Sequence, residues 1–225
     1  MQRRKFIGSL VAGIASTAWL PATAFAQAAL GAPVVAGGAI AGQTYAPLAS
    51  PVAQSGGRLE VLEFFSYGCP HCNDFSEPFA KWAKQQQSKG ISVRRVPVTF
   101  GRPQWVVLGR LYYTIELLKL SALDAAAFNA IHGQGKMLYD DQAVLQWASS
   151  QPGVNAKQFT DTYYSAEVTN LMKKADLMAA TYQIDAVPSL VVAGRYRMLQ
   201  QRGMSFTDLL ANTDAVIKLA RDTQK

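Results

Sequence analysis

Apolar positions along this chain keep two different rhythms, and the places where the rhythm changes outline the fold. Residues 58–66, RLEVLEFFS, are dense in apolar, β-branched and aromatic side chains, as suits a strand buried on both faces. From Pro70 to Gln87 the spacing becomes helical, with Phe75, Phe79, Trp82 and Ala83 on one face and Gly90 as a stop. Ile91–Val98 returns to strand character, so strand, helix and strand follow within about 40 residues, the βαβ unit of a parallel pair. The next stretch keeps one rhythm. Gln104–Leu120, Ala122–Ile131, Asp141–Ser150 and Gln158–Tyr182 all read as helices, with Asp141 and Asn155 as caps and Gly133, Gly135 and Pro152-Gly153 as breaks. Strand character comes back at Ser189–Ala193, turns at Gly194 into Tyr196–Leu199, and a helix from Phe206 to Arg221 closes the chain. Tyr45–Leu48 reads as a short first strand before Pro51, and Gly56-Gly57 as a turn. The expectation is an α/β fold in which residues 44–102 and 183–225 form one domain and residues 103–182 an inserted helical one.

The N-terminus has a separate logic. Residues 1–26 carry Arg3, Arg4 and Lys5, then an apolar stretch of 15 residues from Phe6 to Leu20, then Ala24-Phe25-Ala26. A basic start, a short apolar segment and an A-x-A site read as an export signal. A membrane span would need about 20 more strongly apolar residues. Arg3-Arg4-Lys5-Phe6-Ile7 is also similar to the twin-arginine export pattern, though any basic start can hold two arginines. Residues 27–43, rich in Ala and Gly without a period, read as a flexible arm. The signal implies a bacterial periplasm, where a dithiol can be used oxidised.

Charge and composition then narrow the function. The whole chain of 225 residues carries +7, but without residues 1–26 it has 19 cations against 15 anions, too mild a balance to argue for nucleic acid. At 49% hydrophobic the chain can bury a core, which excludes disorder as its main character. Two Cys cannot staple a mini-protein. Two Cys and two His also make a structural zinc site improbable, because His132 lies 60 residues from Cys72; no metal or cofactor is expected.

The chemistry concentrates at Cys69-Pro70-His71-Cys72, where a strand hands over to a helix. Pro70 suits a first helical turn. Residues three apart share a helix face, so the two sulfurs can bond. Cys69, at the helix N-terminus, meets partial positive charge and free N–H groups that favour a thiolate; Cys72, one turn inward, is shielded. Cys69 is therefore expected to form the mixed disulfide and Cys72 to resolve it. His71, near the Cys69 sulfur, adds to the stabilisation of S⁻ and so favours the dithiol form, which makes the disulfide an oxidant. A merely structural bridge fits this strand–turn–helix placement poorly.

The run Val61-Leu62-Glu63-Phe64-Phe65-Ser66-Tyr67-Gly68-Cys69-Pro70-His71-Cys72, together with Val187-Pro188-Ser189, resembles the thioredoxin superfamily and, within it, the periplasmic DsbA-type oxidases. The resemblance extends over residues 43–222. It implies a thioredoxin-like fold with a helical insertion, and donation of a disulfide to reduced, unfolded exported proteins. It also implies reoxidation by a DsbB-type membrane partner coupled to quinone; the chain is expected to act as a monomer. Pro188 is expected cis, with Val187 offering its backbone to an extended peptide as a short added strand. The resemblance places a buried acid at Glu63, and a proton relay to Cys72 is the hypothesis for it, against a solvated strand-edge acid; Glu60 takes that plainer role. One departure stands out: Ser76, followed by Glu77, occupies the position four residues after the second Cys, where the family often has an acid.

Other features favour packing or solvent. His132 reads as a loop or cap residue, Tyr112-Tyr113 and Tyr163-Tyr164 as core or rim, and Arg94-Arg95 and Lys173-Lys174 as solvated faces. Met172, Met178 and Met204, with Phe100, fit either a core or a groove for unfolded chains. Two other functions compete with the oxidase: a same-fold reductase or isomerase, and a non-enzymatic chaperone using the same groove. Isomerases of the superfamily usually carry an upstream dimerisation domain, for which the 31 residues 27–57 are too short.

Overall fold

A computed structural model describes residues 40–52 and 58–223; the expected signal at 1–26 and most of the expected arm lie outside the described residues. Five strands form one sheet in the order β1-β5-β4-β2-β3, where β1 is Tyr45–Pro47, β2 Glu60–Phe65, β3 Ser92–Pro97, β4 Ser189–Val192 and β5 Tyr196–Met198. Strands β2 and β3 are parallel, joined through helix α1 (Pro70–Ser88), and β4 pairs antiparallel with β2. Helices α2 (Pro103–Leu117), α3 (Ala122–Phe128), α4 (Asp141–Ser149), α5 (Ala156–Tyr163) and α6 (Ala166–Thr181) lie between β3 and β4 in the chain, and α7 (Phe206–Asp222) closes it. This is a thioredoxin-like α/β arrangement with helices added between the two strand groups.

The period of two in β2 decides what each side chain meets. Leu62 and Phe64 face α6 and pack with Val96, Ala175 and Ala179. Val61, on the other face, packs with Phe75, Phe79 and Trp82 of α1 and with α7. Phe65 shares that second face and joins a cluster with Cys72, Leu111, Tyr112 and Phe128, so the helical block covers the end of the sheet that leads to the dithiol. Glu63 falls between Val61 and Phe65 and is thereby committed to the interior.

Two local details depart from the sequence expectation. The helix expected over Gln158–Tyr182 is two helices, because Ser165 leaves helical geometry and its Oγ caps α6 by accepting from the Val168 N–H at 3.2 Å. Asp140, not Asp141, caps α4, accepting from the Ala143 N–H; Asp141 instead accepts from the Tyr163 hydroxyl at 2.8 Å. The β4–β5 turn needs glycine at Gly194: its φ is +60°, and a Cβ there would lie 2.3 Å from the Val52 carbonyl oxygen.

Candidate active site

Strand β2 ends at Phe65, and Ser66-Tyr67-Gly68 carry the chain to the N-terminus of α1. Cys69 is the N-cap residue, extended at φ −97° and ψ 118°, with Pro70 at the first helical position. No side chain caps this helix, so the sulfur of Cys69 itself faces the open N–H groups. The loop below is tightly held. The Cys69 N–H donates to the Ser66 carbonyl at 3.1 Å, and the Gly68 N–H to Ser66 Oγ at 3.2 Å. Gly68 has no room for a side chain, since a Cβ would come within 2.8 Å of Trp105 Nε1.

Both cysteines are free thiols, so the structure describes the dithiol state. Their environments differ sharply. The Cys69 thiol is lowered to about 6, chiefly by a hydrogen bond from the Cys72 thiol; partial burial opposes this, and the backbone N–H groups of Cys72 and His71 and the His71 ring add to it. Cys72 is fully buried, and burial first, then the neighbouring Cys69 sulfur, push its thiol far above the usual range; the Glu63 charge acts in the same direction. One sulfur is a thiolate at neutral pH and the other holds its proton.

The second half of the site arrives from the far end of the chain. The Val187–Pro188 peptide is cis, and the Val187 carbonyl oxygen lies 3.5 Å from Cys69 Sγ, the thiol donating when protonated. Beside it runs a groove of about 650 Å³ lined by His71, Val187, Pro188, Leu199 and Met204 among others. Glu63 stands below, fully buried in β2, and the register of the parallel pair sets it directly opposite Arg95. Arg95 Nε donates to Glu63 Oε2 at 2.6 Å; Oε1 takes no hydrogen bond from the described residues and is where a proton can sit. The Glu63 carboxyl is raised to about 7: burial outweighs the attraction and hydrogen bond of Arg95, and the Asp124 charge adds to the rise.

Comparison with known proteins agrees with this arrangement. The family model described as thioredoxin matches residues 56–210. The thiol:disulfide interchange protein DsbA of Burkholderia cepacia is 36% identical over 168 residues, which cover 74% of this chain and 76% of the relative. Its counterpart from Azotobacter vinelandii is 38% identical over 152 residues, 67% of this chain and 69% of that one. The crystal structure of Pseudomonas aeruginosa DsbA superimposes with a TM-score of 0.76 at 32% identity, over 81% of this chain and 95% of that chain. This chain belongs to the DsbA-type branch of the thioredoxin family. It is a thiol:disulfide oxidoreductase.

Within that branch, all seven residues singled out from the sequence (Glu63, Cys69, Pro70, His71, Cys72, Val187 and Pro188) come together at one end of the sheet. Ser76, in the position where the DsbA-type sequence often has an acid, donates to the Asn73 carbonyl of its own helix at 2.7 Å; Glu77 is exposed and pairs with Lys81. No carboxylate from that turn reaches the thiols.

Two residues, Arg95 and His132, differ from the sequence expectation, and a third, Asp124, carries no sequence signal. Arg94 is solvent-facing and pairs with Glu60, as expected of a surface residue, but its neighbour Arg95 is not solvated: its side chain is only 15% exposed and its guanidinium lies 3.7 Å from the centre of the Phe65 ring. Adjacent residues of a strand point to opposite faces, and the Arg95 face is covered by helices. Asp124, from α3, accepts from Arg95 Nη1 with both oxygens at 2.8 and 2.9 Å, and Tyr67 Oη donates to the same Oδ1 at 2.6 Å. His132, expected in a plain loop or cap role, lies in the single wider helical turn Asn129–Gly133 and donates from Nε2 to the Tyr67 carbonyl at 2.7 Å, bracing the loop that carries Cys69. The methionines divide: Met172 is core, packed on Gly109, and Met204 lines the groove, while Phe100 is 39% exposed.

Proposed function

We propose that this chain is a periplasmic oxidase that hands its Cys69–Cys72 disulfide to reduced, newly exported proteins. The export signal read in residues 1–26 supports the compartment. In the donor reaction a substrate thiolate attacks the Cys69 sulfur, the Cys69–Cys72 bond breaks, and Cys72 leaves. A buried sulfur with so high a proton affinity must be protonated as it leaves, and Glu63, raised to about 7, is the acid that supplies the proton. A second substrate thiolate then attacks the substrate sulfur of the mixed disulfide, forming the substrate disulfide and expelling Cys69 as a thiolate. A leaving thiol of low pKa departs fastest, which favours transfer onward over return. The reaction needs only these sulfurs and protons, and no metal or cofactor. Val187 and the groove beside Pro188 supply backbone and apolar contacts for an extended segment.

The observation that carries this reading is the inequality of the two thiols. Reoxidation requires a DsbB-type membrane partner that passes electrons to quinone, and the chain acts as a monomer. The test is oxidation of a reduced, unfolded secretory protein together with the Cys69–Cys72 equilibrium against glutathione. Cys69→Ser is expected to abolish oxidation, and wild type to equilibrate as an oxidant. A strongly reducing equilibrium would reassign the chain as a reductase; protection of unfolded chains from aggregation, undiminished in Cys69→Ser and without oxidation in wild type, would make it a chaperone.

A further inference from the structure

The charged cluster behind the dithiol holds more carboxylate than one cation can balance. Arg95 on β3 gives Nε to Glu63 of β2 and Nη1 to both oxygens of Asp124 on α3. A guanidinium cannot surrender its proton in this setting, so it is a fixed single positive charge. Burial works against that charge, but Glu63 and Asp124 outweigh it and hold Arg95 ionised. The other groups facing the cluster are Cys72 from α1, Tyr67 beyond the end of β2, and Tyr112 and Glu116 from α2. Tyr67 and Tyr112 are held as neutral phenols by burial first and then by neighbouring carboxylates. Among the described residues the nearest other cation is Arg94, which lines the same side but pairs with Glu60. Glu116 is exposed at the edge of the cluster, and partial desolvation raises its carboxyl. A cavity of about 440 Å³ between α1, β3 and α2 is lined by Ser76, Arg95, Tyr112, Glu116 and Asp124 among others.

We propose that Asp124 is a positioning residue for the exchange reaction, taking enough of the Arg95 charge that Glu63 can both hold and release the proton destined for Cys72. This rests on the relay reading of Glu63 above. Arg95 pulls Glu63 toward the ionised form against the rise that burial causes, and a guanidinium held closer, with no other anion on it, would leave Glu63 less able to donate. Asp124 prevents that in two ways: its two contacts anchor Nη1 and fix where the guanidinium lies, and its negative charge repels a second negative charge at Glu63. The Tyr67 hydroxyl, donating to Asp124 Oδ1, ties this arrangement to the loop two residues before Cys69. A residue of the helices added between β3 and β4 thereby sets the proton traffic at the dithiol.

The experiment follows the Glu63 carboxyl by ¹³C NMR in labelled full-length protein, alongside the pH profile for opening of the disulfide by glutathione. In wild type the carboxyl is expected to titrate near 7. Asp124→Asn is expected to move that midpoint measurably down, and to move the inflection of the opening rate with it. Glu63→Gln serves as the discriminating control. If it leaves the inflection in place, the relay itself is wrong; if it removes the inflection while Asp124→Asn leaves the Glu63 midpoint unmoved or raised, the relay stands and the role given to Asp124 is overturned. Should Asp124→Asn fail to fold, the wild-type spectrum decides: the Asp124 carboxyl carbon must register a step at the Glu63 midpoint, and a silent Asp124 overturns the proposal.

Discussion

The lowered Cys69 thiol makes a quantitative statement about oxidising power. A thiol moved from 9 to about 6 stabilises the dithiol form only where pH exceeds the lowered value, because below it both an ordinary and a lowered thiol carry the proton. At pH 7 the thiolate is in about tenfold excess, which corresponds to about 1.4 kcal/mol, or roughly 30 mV for a two-electron couple. The advantage is absent below pH 6 and grows as pH rises toward 9. A plot of potential against pH should therefore fall by about 59 mV per unit below pH 6, where reduction takes up two protons. Above it the fall should be about 30 mV per unit, where reduction takes up one. The assays are equilibration with glutathione between pH 4.5 and 8.5, and thiolate absorbance of Cys69 over the same range. Cys72→Ala removes the strongest stabilising contact and should raise the Cys69 midpoint by about one to two units, since a hydrogen bond to a charged acceptor is worth about 1.5–3 kcal/mol. His71→Ala removes a weaker influence and should shift it less. A single slope through pH 6, or a larger shift in His71→Ala than in Cys72→Ala, would refute this assignment of causes.

Two further outcomes concern stability. A carboxyl raised to about 7 in the folded protein holds a proton that the unfolded chain has released above 4.5, so its contribution is fully present below pH 4.5 and is lost as pH rises to 7. The loss is of the order of 3 kcal/mol, and Glu63→Gln should flatten it; urea unfolding of both proteins at pH 4.5 and pH 8 checks this, and parallel pH dependence would contradict it. Away from the site, Asp214 Oδ1 accepts from Trp82 Nε1 at 2.8 Å and from Gln86 Nε2 at 2.9 Å, both on buried side chains of α1. Asp214→Ala strands two buried donors and should cost about 2–4 kcal/mol, read as a lower urea midpoint at unchanged slope, with the Cys69 titration unmoved.

What could be read in advance was whatever depends on near neighbours in the chain. The CPHC motif and its place between β2 and α1 follow from period and position within about a dozen residues, while the burial of Glu63 also needed the resemblance. Pro188 required a resemblance, because no local rule predicts what sits beside Cys69 from 118 residues away. Ser165 is a residue type that caps helices, but the apolar spacing on its two sides is compatible with one helix, so the split shows only in the structure. Arg95 was recoverable from strand alternation: if Arg94 faces solvent, Arg95 does not. Asp124 and His132 were not recoverable. Their polar partners lie on the loop and strands of the other part of the chain, and nothing in their own surroundings marks them as anything but helix residues.

Those two residues show where the control of this site resides. The Cys72 thiol, with two backbone N–H groups at a helix N-terminus, makes one sulfur acidic, and a short strand–helix unit can supply them. In the relay proposed above, the proton on the second sulfur comes from a buried acid whose affinity lies near the working pH; burial raises that acid, Arg95 pulls it down, and the Asp124 charge adds to the rise. The helices between β3 and β4 supply that charge. They seal Cys72 with Leu111, Tyr112 and Phe128, brace the Tyr67 carbonyl through His132, and place a carboxylate on Arg95. A variant in which that helical face is repacked without charge should keep an acidic Cys69 while losing the pH dependence of the step at Cys72. If both thiols changed together, the helices would be acting on the dithiol as a whole and not through the Glu63–Arg95–Asp124 cluster.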